Sequence, residues 1–302
     1  MSNNTRPIDV IVVGGGFAGL AAATYLARAR RKVLVLDTGK PRNRFAHASH
    51  GFLGQDGRNP MDILADARAQ LLSYWNVQVL HDEATSARPT DNGFAVTLAS
   101  GQEQVASKLL LAFGLHDTLD NIPGLQERWG RSVLHCPYCH GIEFSDRPLG
   151  VLYRTPMSAH QALLIAEWGP TTLYLNGATL EAEDAEKLAA RGVAVEPARV
   201  TRLVGEDDAL LAIELEGERH RAIEALYVAP QSTLSSPLAM QLGLGIDDGP
   251  MGEMIRTDNH RMTTLDGVYA AGDIARAPHS VSWAVADGVT AGTSIHRNLV
   301  FG

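Results

Sequence analysis

An unbroken apolar run at residues 10–13 is followed by three closely spaced glycines, an alanine-rich stretch with helical spacing, and a second apolar run that ends at Asp37. Runs of this length without polar alternation predict strands buried on both faces, and the stretch between them predicts the crossover helix that joins parallel neighbours. The segment "DVIVVGGGFAGLAAATYLARARRKVLVLD", residues 9–37, therefore reads as a complete βαβ unit with its second strand at 32–36. The pattern of strand, turn, helix and strand returns at residues 147–177, and this pair of openings is the only internal repeat. Short alternating runs at 200–230, broken at 205–208 and 216–218, predict an antiparallel meander. Near the carboxyl end, residues 267–271 predict a further strand and a helix follows from about Ser280. Met157, Leu163, Leu164 and Trp168 are expected in a core, and His160 and Gln161 are expected to cap or pack a helix start.

The glycines turn the first pattern into a candidate binding site. Gly14, Gly16 and Gly19 stand at G-x-G-x-x-G spacing between the strand and the helix. In such a unit the first glycine serves the tight turn, the second lets a pyrophosphate approach the helix N-terminus, and the third lets helix and strand pack closely. Asp37, about 20 residues on, is placed to bind adenosine ribose hydroxyls. FAD and NAD sites share this unit, so it does not choose between them.

The chain has 302 residues, of which 45% are hydrophobic and 20% charged, with a formal net charge of -8. That composition excludes disorder, and the lack of an apolar run of about 18 residues argues against a membrane span. With no basic block, nucleic acid is not an expected partner. The polar amino terminus, residues 1–7, lacks the order of a secretory signal, so the protein is expected to be soluble and cytoplasmic.

Both cysteines lie in "HCPYCHG", residues 135–141. Two cysteines in a reducing compartment form no structural framework, which leaves a redox pair, a metal fragment or an incidental pair. The tetrapeptide CPYC also marks glutaredoxins, but there it follows the first strand of a small domain, whereas Cys136 lies mid-chain and a second nucleotide-type pattern follows it. Two intervening residues at a helix start allow disulfide geometry, and the helix N-terminus lowers the pKa of the nearer thiol. His140 directly follows Cys139, and an imidazole shuttles thiol protons near neutrality; His135 either shares that task or serves as a structural hydrogen-bonding residue. Zinc ligands normally come from two separated segments, so no metal site is expected here, and His47, His50 and His116 match no metal pattern.

With "GVYAAGD" at 267–273 the chain resembles the flavoprotein disulfide oxidoreductases with two dinucleotide domains, and its length and cysteine position resemble the low-molecular-weight thioredoxin reductases. The resemblance implies an α/β fold of two Rossmann-like, three-layer ββα dinucleotide-binding domains, the second inserted in the first. It implies a discontinuous FAD-binding domain at 1–116 plus 245–302, an inserted NADPH-type domain at 117–244 carrying the cysteines, and a homodimer. FAD would contact Gly14, Gly16, Phe17, Ala18, Gly19 and Asp37. "LLLAFGLHDTLDNIPG", residues 109–124, is similar to the family's exit from its first FAD section and contributes Ala112 and Gly114, although Phe113 stands where threonine is usual. Gly272 and Asp273 would meet the ribityl chain, and the helix at Val281 and Ser282 would face the flavin pyrimidine, where the positive end of a helix favours the anionic reduced ring. Lys40, Arg42 and Asn43 either meet the FAD phosphates or flavin edge or form a solvated basic loop. By family position Cys139 is the flavin-proximal sulfur and Cys136 the one that exchanges with substrate, with His140 where an aspartate acid-base usually stands.

The inserted domain departs from that pattern. Where the reductases carry a glycine fingerprint, this chain reads Tyr153, Arg154, Thr155, Pro156, Met157 and Ser158, and side chains take the space that phosphates need. After the second strand come Asn176 and four acids, Glu181, Glu183, Asp184 and Glu186, where a histidine and arginines are usual. NADPH binding is therefore doubtful, with an unconventional nucleotide site around Arg154 as the counter-reading. "DTGKPRN", "SHGFLGQDG" and "HCPYCHG" are similar to the thioredoxin-reductase-like dithiol oxidases that close disulfides in natural products, of the gliotoxin, holomycin and romidepsin type. That resemblance implies a thiol oxidase acting on a small dithiol with molecular oxygen as acceptor and hydrogen peroxide as product. The alternatives are a thioredoxin reductase acting on a small redox protein and fed by NADPH, ferredoxin or another flavin, and a flavoprotein that senses redox state without turnover.

Overall fold

A computed structural model describes residues 7–249 and 251–302. The polar amino terminus noted above, apart from Pro7, lies outside the described residues. The described residues fall into two compact units, residues 7–44, 61–117, 232–249 and 251–302 in the first and 45–60 and 118–231 in the second.

The first unit begins with β1 (Ile8–Val13), α1 (Phe17–Arg28) and β2 (Val33–Leu36), the predicted βαβ unit with its second strand starting one residue later. Helix α2 (Pro60–Leu72), β3 (Val77–Leu80) and the antiparallel run β4 (Ala84–Thr90), β5 (Gly93–Leu98) and β6 (Glu103–Leu111) follow. The sheet runs β3-β2-β1-β6-β5-β4, parallel across its first four strands. Val10, Ile11 and Val12 are wholly buried, as expected for a strand covered on both faces. On one face α1 lays down Leu20, Ala22, Ala23 and Leu26, and each fully buried leucine contributes about 1.5–3 kcal/mol.

Strand β7 (Leu115–Thr118) leads into the second unit, which contains β8 (Val133–Leu134), α3 (Pro137–His140), β9 (Leu149–Leu152), α4 (Met157–Ile165), β10 (Thr171–Tyr174), α5 (Ala182–Ala190) and β11 (Ala194–Glu196). Its parallel sheet has the order β11-β10-β9-β15-β8, where β15 is Ala225–Val228. The predicted meander is β12 (Val200–Glu206), β13 (Ala209–Leu215) and β14 (Arg219–Ala222), three antiparallel strands in that order. Met157 departs from expectation: at the first position of α4 it points outward and is 55% exposed.

The chain re-enters the first unit with β16 (Gln231–Leu234), α6 (Leu238–Gln241), β17 (Ile246–Gly249) and β18 (Gly252–Ile255). Strand β19 (Val268–Ala270) joins β6 in parallel, and α7 (Val281–Phe301) closes the described chain with Ser280 accepting the amide of Trp283 as its N-cap. The compact units differ from the expected domain limits in two ways. The return falls at Ser232 rather than residue 245, because Leu238, Ala239, Leu242 and Leu244 pack into the first unit's core. Residues 45–60 group with the second unit, where Ser49 and Arg58 form a bridge that folds them into a loop.

Candidate active site

In the second unit, Cys136 and Cys139 form a disulfide with their Cα atoms 5.3 Å apart. Cys136 is the N-cap of α3 and Pro137 occupies the first helical position, where its fixed φ suits the helix and its missing N–H is not needed. The helix is a single turn, shorter than the sequence pattern predicts, so its aligned peptide dipoles supply less field at the sulfurs than a full helix would. Gly141 follows because space forbids anything larger: a Cβ there would stand 2.5 Å from the Pro137 carbonyl oxygen and 2.7 Å from Trp168 Nε1. Trp168 also meets Tyr138 edge-on, with ring centroids 5.7 Å apart, so the indole props this turn from beneath while packing on the core.

The two histidines beside the cysteines have different settings. His135 Nδ1 lies 3.2 Å from the Val228 carbonyl, which fixes it as a donor and orients the ring. The His135 carbonyl accepts from Gln161 Nε2 at 3.1 Å, while His160, on the same helix, is exposed and caps nothing. His140 is half-buried, and burial pushes its pKa down, with nearby His50 pushing the same way and Glu143 opposing both.

His50 and Glu143 are the functional candidates that sequence reasoning missed. His50 lies in the loop at residues 45–60, and its Nε2 is 3.2 Å from Glu143 Oε1. Its ring meets His140 edge-on with centroids 6.0 Å apart. One donor atom from each of His50, His140 and Glu143 lies within 4.8 Å of the others. Of the other two loop histidines, His47 pairs with Asp208 in the second unit and His116 lies on β7 in the first. "SHGFLGQDG" held the signal, but no spacing rule brings residue 50 to residue 140.

The first unit gathers the expected dinucleotide residues around the first turn. Gly14 has φ +108°, and a Cβ on it would stand 2.2 Å from the Ala112 carbonyl oxygen. Gly19 rests on the Gly14 carbonyl, whereas a Cβ on Gly16 would meet nothing within 4 Å, so the start of α1 faces open space with no side-chain cap. Phe17 and Ala18 begin that helix, and buried Asp37 accepts the Gly15 amide at 3.2 Å and pairs with Arg68. Gly272, with φ +82°, packs over Ala18 at the other end of the site.

The loop after β2 behaves differently from expectation. Lys40 is exposed, Asn43 is half-buried, and Arg42 is drawn into a polar cluster of the unit itself. Its guanidinium donates to both carboxylate oxygens of Asp117 at 2.7 Å, to Asp273 Oδ2 at 3.0 Å and to His279 Nδ1 at 2.8 Å. Asp273, expected to meet a ribityl chain, is thus also an Arg42 partner, because a half-buried guanidinium is stabilised by opposite charge on both sides. Gly114 is half-buried with φ +76°, and the α7 start at Val281 and Ser282 is half-buried to exposed.

The turn of the second unit is filled by its own groups. Ser158 Oγ, wholly buried, accepts the amides of Arg154 at 3.0 Å and Thr155 at 3.3 Å. The Arg154 side chain donates to the Ala229 carbonyl at 3.1 Å and lies 3.3 Å from Asp120 Oδ2. Asn176 Oδ1 accepts the Val200 amide, and Glu183 pairs with Lys187. Amides already satisfied by a buried hydroxyl offer no cradle to a pyrophosphate.

Two nucleotide-type units, the second carrying a disulfide on a helical turn, define a flavin-dependent disulfide oxidoreductase. The chain belongs to the pyridine nucleotide-disulphide oxidoreductase family, whose model matches residues 8–288. It is 32% identical to "Thioredoxin reductase tcpT" of Claviceps purpurea (strain 20.1) over 97% of this chain and 94% of that protein. Among solved structures, an oxidoreductase from Agrobacterium tumefaciens matches with TM-score 0.93 and 42% identity over 98% of this chain and 99% of that one. HlmI matches with TM-score 0.92 and 37% identity over 98% and 93% of the two chains. This is a thioredoxin-reductase-like thiol-disulfide oxidoreductase whose cofactor is FAD. The open space before Gly16 and the glycine contacts around it fit such a dinucleotide, whereas the turn at Arg154 does not. No helix among the described residues is long and apolar enough to cross a membrane.

Proposed function

We propose that this enzyme oxidises a small dithiol to a disulfide, with molecular oxygen as acceptor and hydrogen peroxide as product, working as a cytoplasmic homodimer. The net reaction balances as one dithiol plus oxygen giving one disulfide plus hydrogen peroxide. The observation that carries this reading is the second turn, where Ser158 and Arg154 take the hydrogen bonds that NADPH phosphates would need. In this reading electrons come from the thiol side.

FAD, when bound, supplies two-electron redox chemistry, and Gly14, Gly16, Phe17, Ala18, Gly19, Asp37, Ala112, Gly114, Gly272, Asp273, Val281 and Ser282 are the residues that would hold it. A substrate thiolate attacks Cys136, the Cys136–Cys139 bond breaks and Cys139 leaves as a thiolate. The second substrate thiol then displaces Cys136. His140, kept neutral near pH 7 by burial, accepts a proton from one substrate thiol and releases it to solvent before accepting the next. His135 is oriented by the Val228 carbonyl.

Anaerobic titration tests the reading. Dithiothreitol should bleach the flavin absorbance and NADPH should not. Bleaching by NADPH with no response to dithiothreitol would refute it. The names of the curated relatives support a second reading, a reductase of a small redox protein fed by NADPH, ferredoxin or another flavin; steady NADPH oxidation with thioredoxin as acceptor would select it.

A further inference from the structure

The loop at residues 45–60 carries His50 to the helical turn that holds the cysteines, although about 90 residues of chain separate them. There its Nε2 lies 3.2 Å from Glu143 Oε1 and its Nδ1 lies 3.6 Å from Asp56 Oδ1. The close Glu143 contact orients the imidazole. Asp56 Oδ1 accepts the Gly51 amide at 2.8 Å and stands only at ion-pair distance from the ring. The His50 and His140 rings meet edge-on with centroids 6.0 Å apart. Exposure rises outward along the series, from 22% for the His50 side chain to 37% for Glu143 and 70% for Asp56.

The same three donors could also suggest a metal site. Donors 2.0–2.2 Å from one tetrahedral zinc lie about 3.4 Å apart, and these ligand atoms all lie within 4.8 Å of one another. A separation of that size suits a chain of imidazoles and carboxylates bridged by one water.

We infer that His50 and Glu143 are positioning residues for His140, forming with Asp56 a relay that sets the protonation of His140 and carries its proton to solvent. The inference rests on the reading of His140 as the proton carrier. The proton leaves a thiol sulfur for His140, passes through one water to the His50–Glu143 pair, and exits at Asp56; no electrons move in these steps. Glu143 and His50 act on His140, Glu143 and Asp56 flank His50, and on β15 the Tyr227 hydroxyl, held neutral by burial, lies near Glu143.

The relay predicts shifts of opposite sign. Glu143 favours the His140 imidazolium and His50 disfavours it, beneath the larger effect of burial. In purified, FAD-loaded, oxidised protein, histidine NMR should place the His140 midpoint lower in Glu143→Gln and higher in His50→Gln. The pH profile of flavin bleaching by dithiothreitol should move the same ways. A structural role alone would leave both midpoints in place or move them together, and either result would overturn the inference. If a Gln variant does not fold, Glu143→Asp and His50→Asn are measured instead, the first expected at the wild-type midpoint and the second above it. If dithiothreitol bleaches the wild type at no pH, the oxidase reading fails, while the NMR midpoints still decide the relay.

Discussion

Gly288 of α7 rides directly on the carbonyl of Ala18 in α1, so close that a Cβ on it would stand 2.1 Å from that oxygen. One turn later Gly292 meets the Ala22 carbonyl in the same way, at 2.8 Å. Two helices approach this closely only where neither presents a side chain, and here the contact bears on the start of α1 beside the Gly14–Gly16 turn. The obstacle is backbone, so a methyl group cannot be relieved by a rotamer change. Gly288→Ala is expected to destabilise the protein by about 1–3 kcal/mol and to lower the fraction purified with bound flavin. A variant that melts with the wild type and stays fully yellow would refute this account.

Cys139→Ser is expected to retain FAD, because the cysteine pair lies in the second unit and the dinucleotide turn in the first. Dithiol-driven peroxide production should vanish. Peroxide release at the wild-type rate would remove the disulfide from the mechanism.

Acid should weaken the fold through its buried imidazoles. Burial lowers the pKa of both His140 and His279, and His279 Nδ1 accepts the Arg42 guanidinium, which a protonated ring could not do. The unfolded chain takes up these protons near pH 6.5. Between the lowered folded values and that point it binds more protons than the native state, so stability rises with pH across the window and is lost as pH falls through it. Melting temperature should therefore drop as pH falls below about 6.5, and drop less in His279→Asn, which keeps an acceptor for Arg42. An equal drop in both proteins would exclude His279 as a cause.

Arg154→Ala should affect stability rather than nucleotide affinity. Its guanidinium serves the Ala229 carbonyl and Asp120, so truncation leaves a part-buried carboxylate without its partner, at a cost on the order of 1–3 kcal/mol. Calorimetry with NADPH should show no binding before or after the change. NADPH binding that depends on Arg154 would reinstate an unconventional nucleotide site.

Local signals located most of the fold. The βαβ opening, the meander and the α7 start were legible because each rests on periodicity or on glycine and capping chemistry within about 30 residues. The limits of the inserted unit were not. Residues 238–244 carry apolar positions that either unit could have buried, and only packing assigned them to the first core.

The sequence by itself determined the dinucleotide turn, the cysteine pair on its helical turn and the loss of the second glycine fingerprint, since backbone sterics and residue size act locally. Only the tertiary structure decided that Arg42 turns to Asp117, Asp273 and His279, that Ser158 satisfies the second turn, and that His50 and Glu143 join His140. Those pairings depend on which charged groups lose their water together when the chain packs. Side chains distant along the chain compete for the same few partners, and no interval in the sequence encodes the outcome.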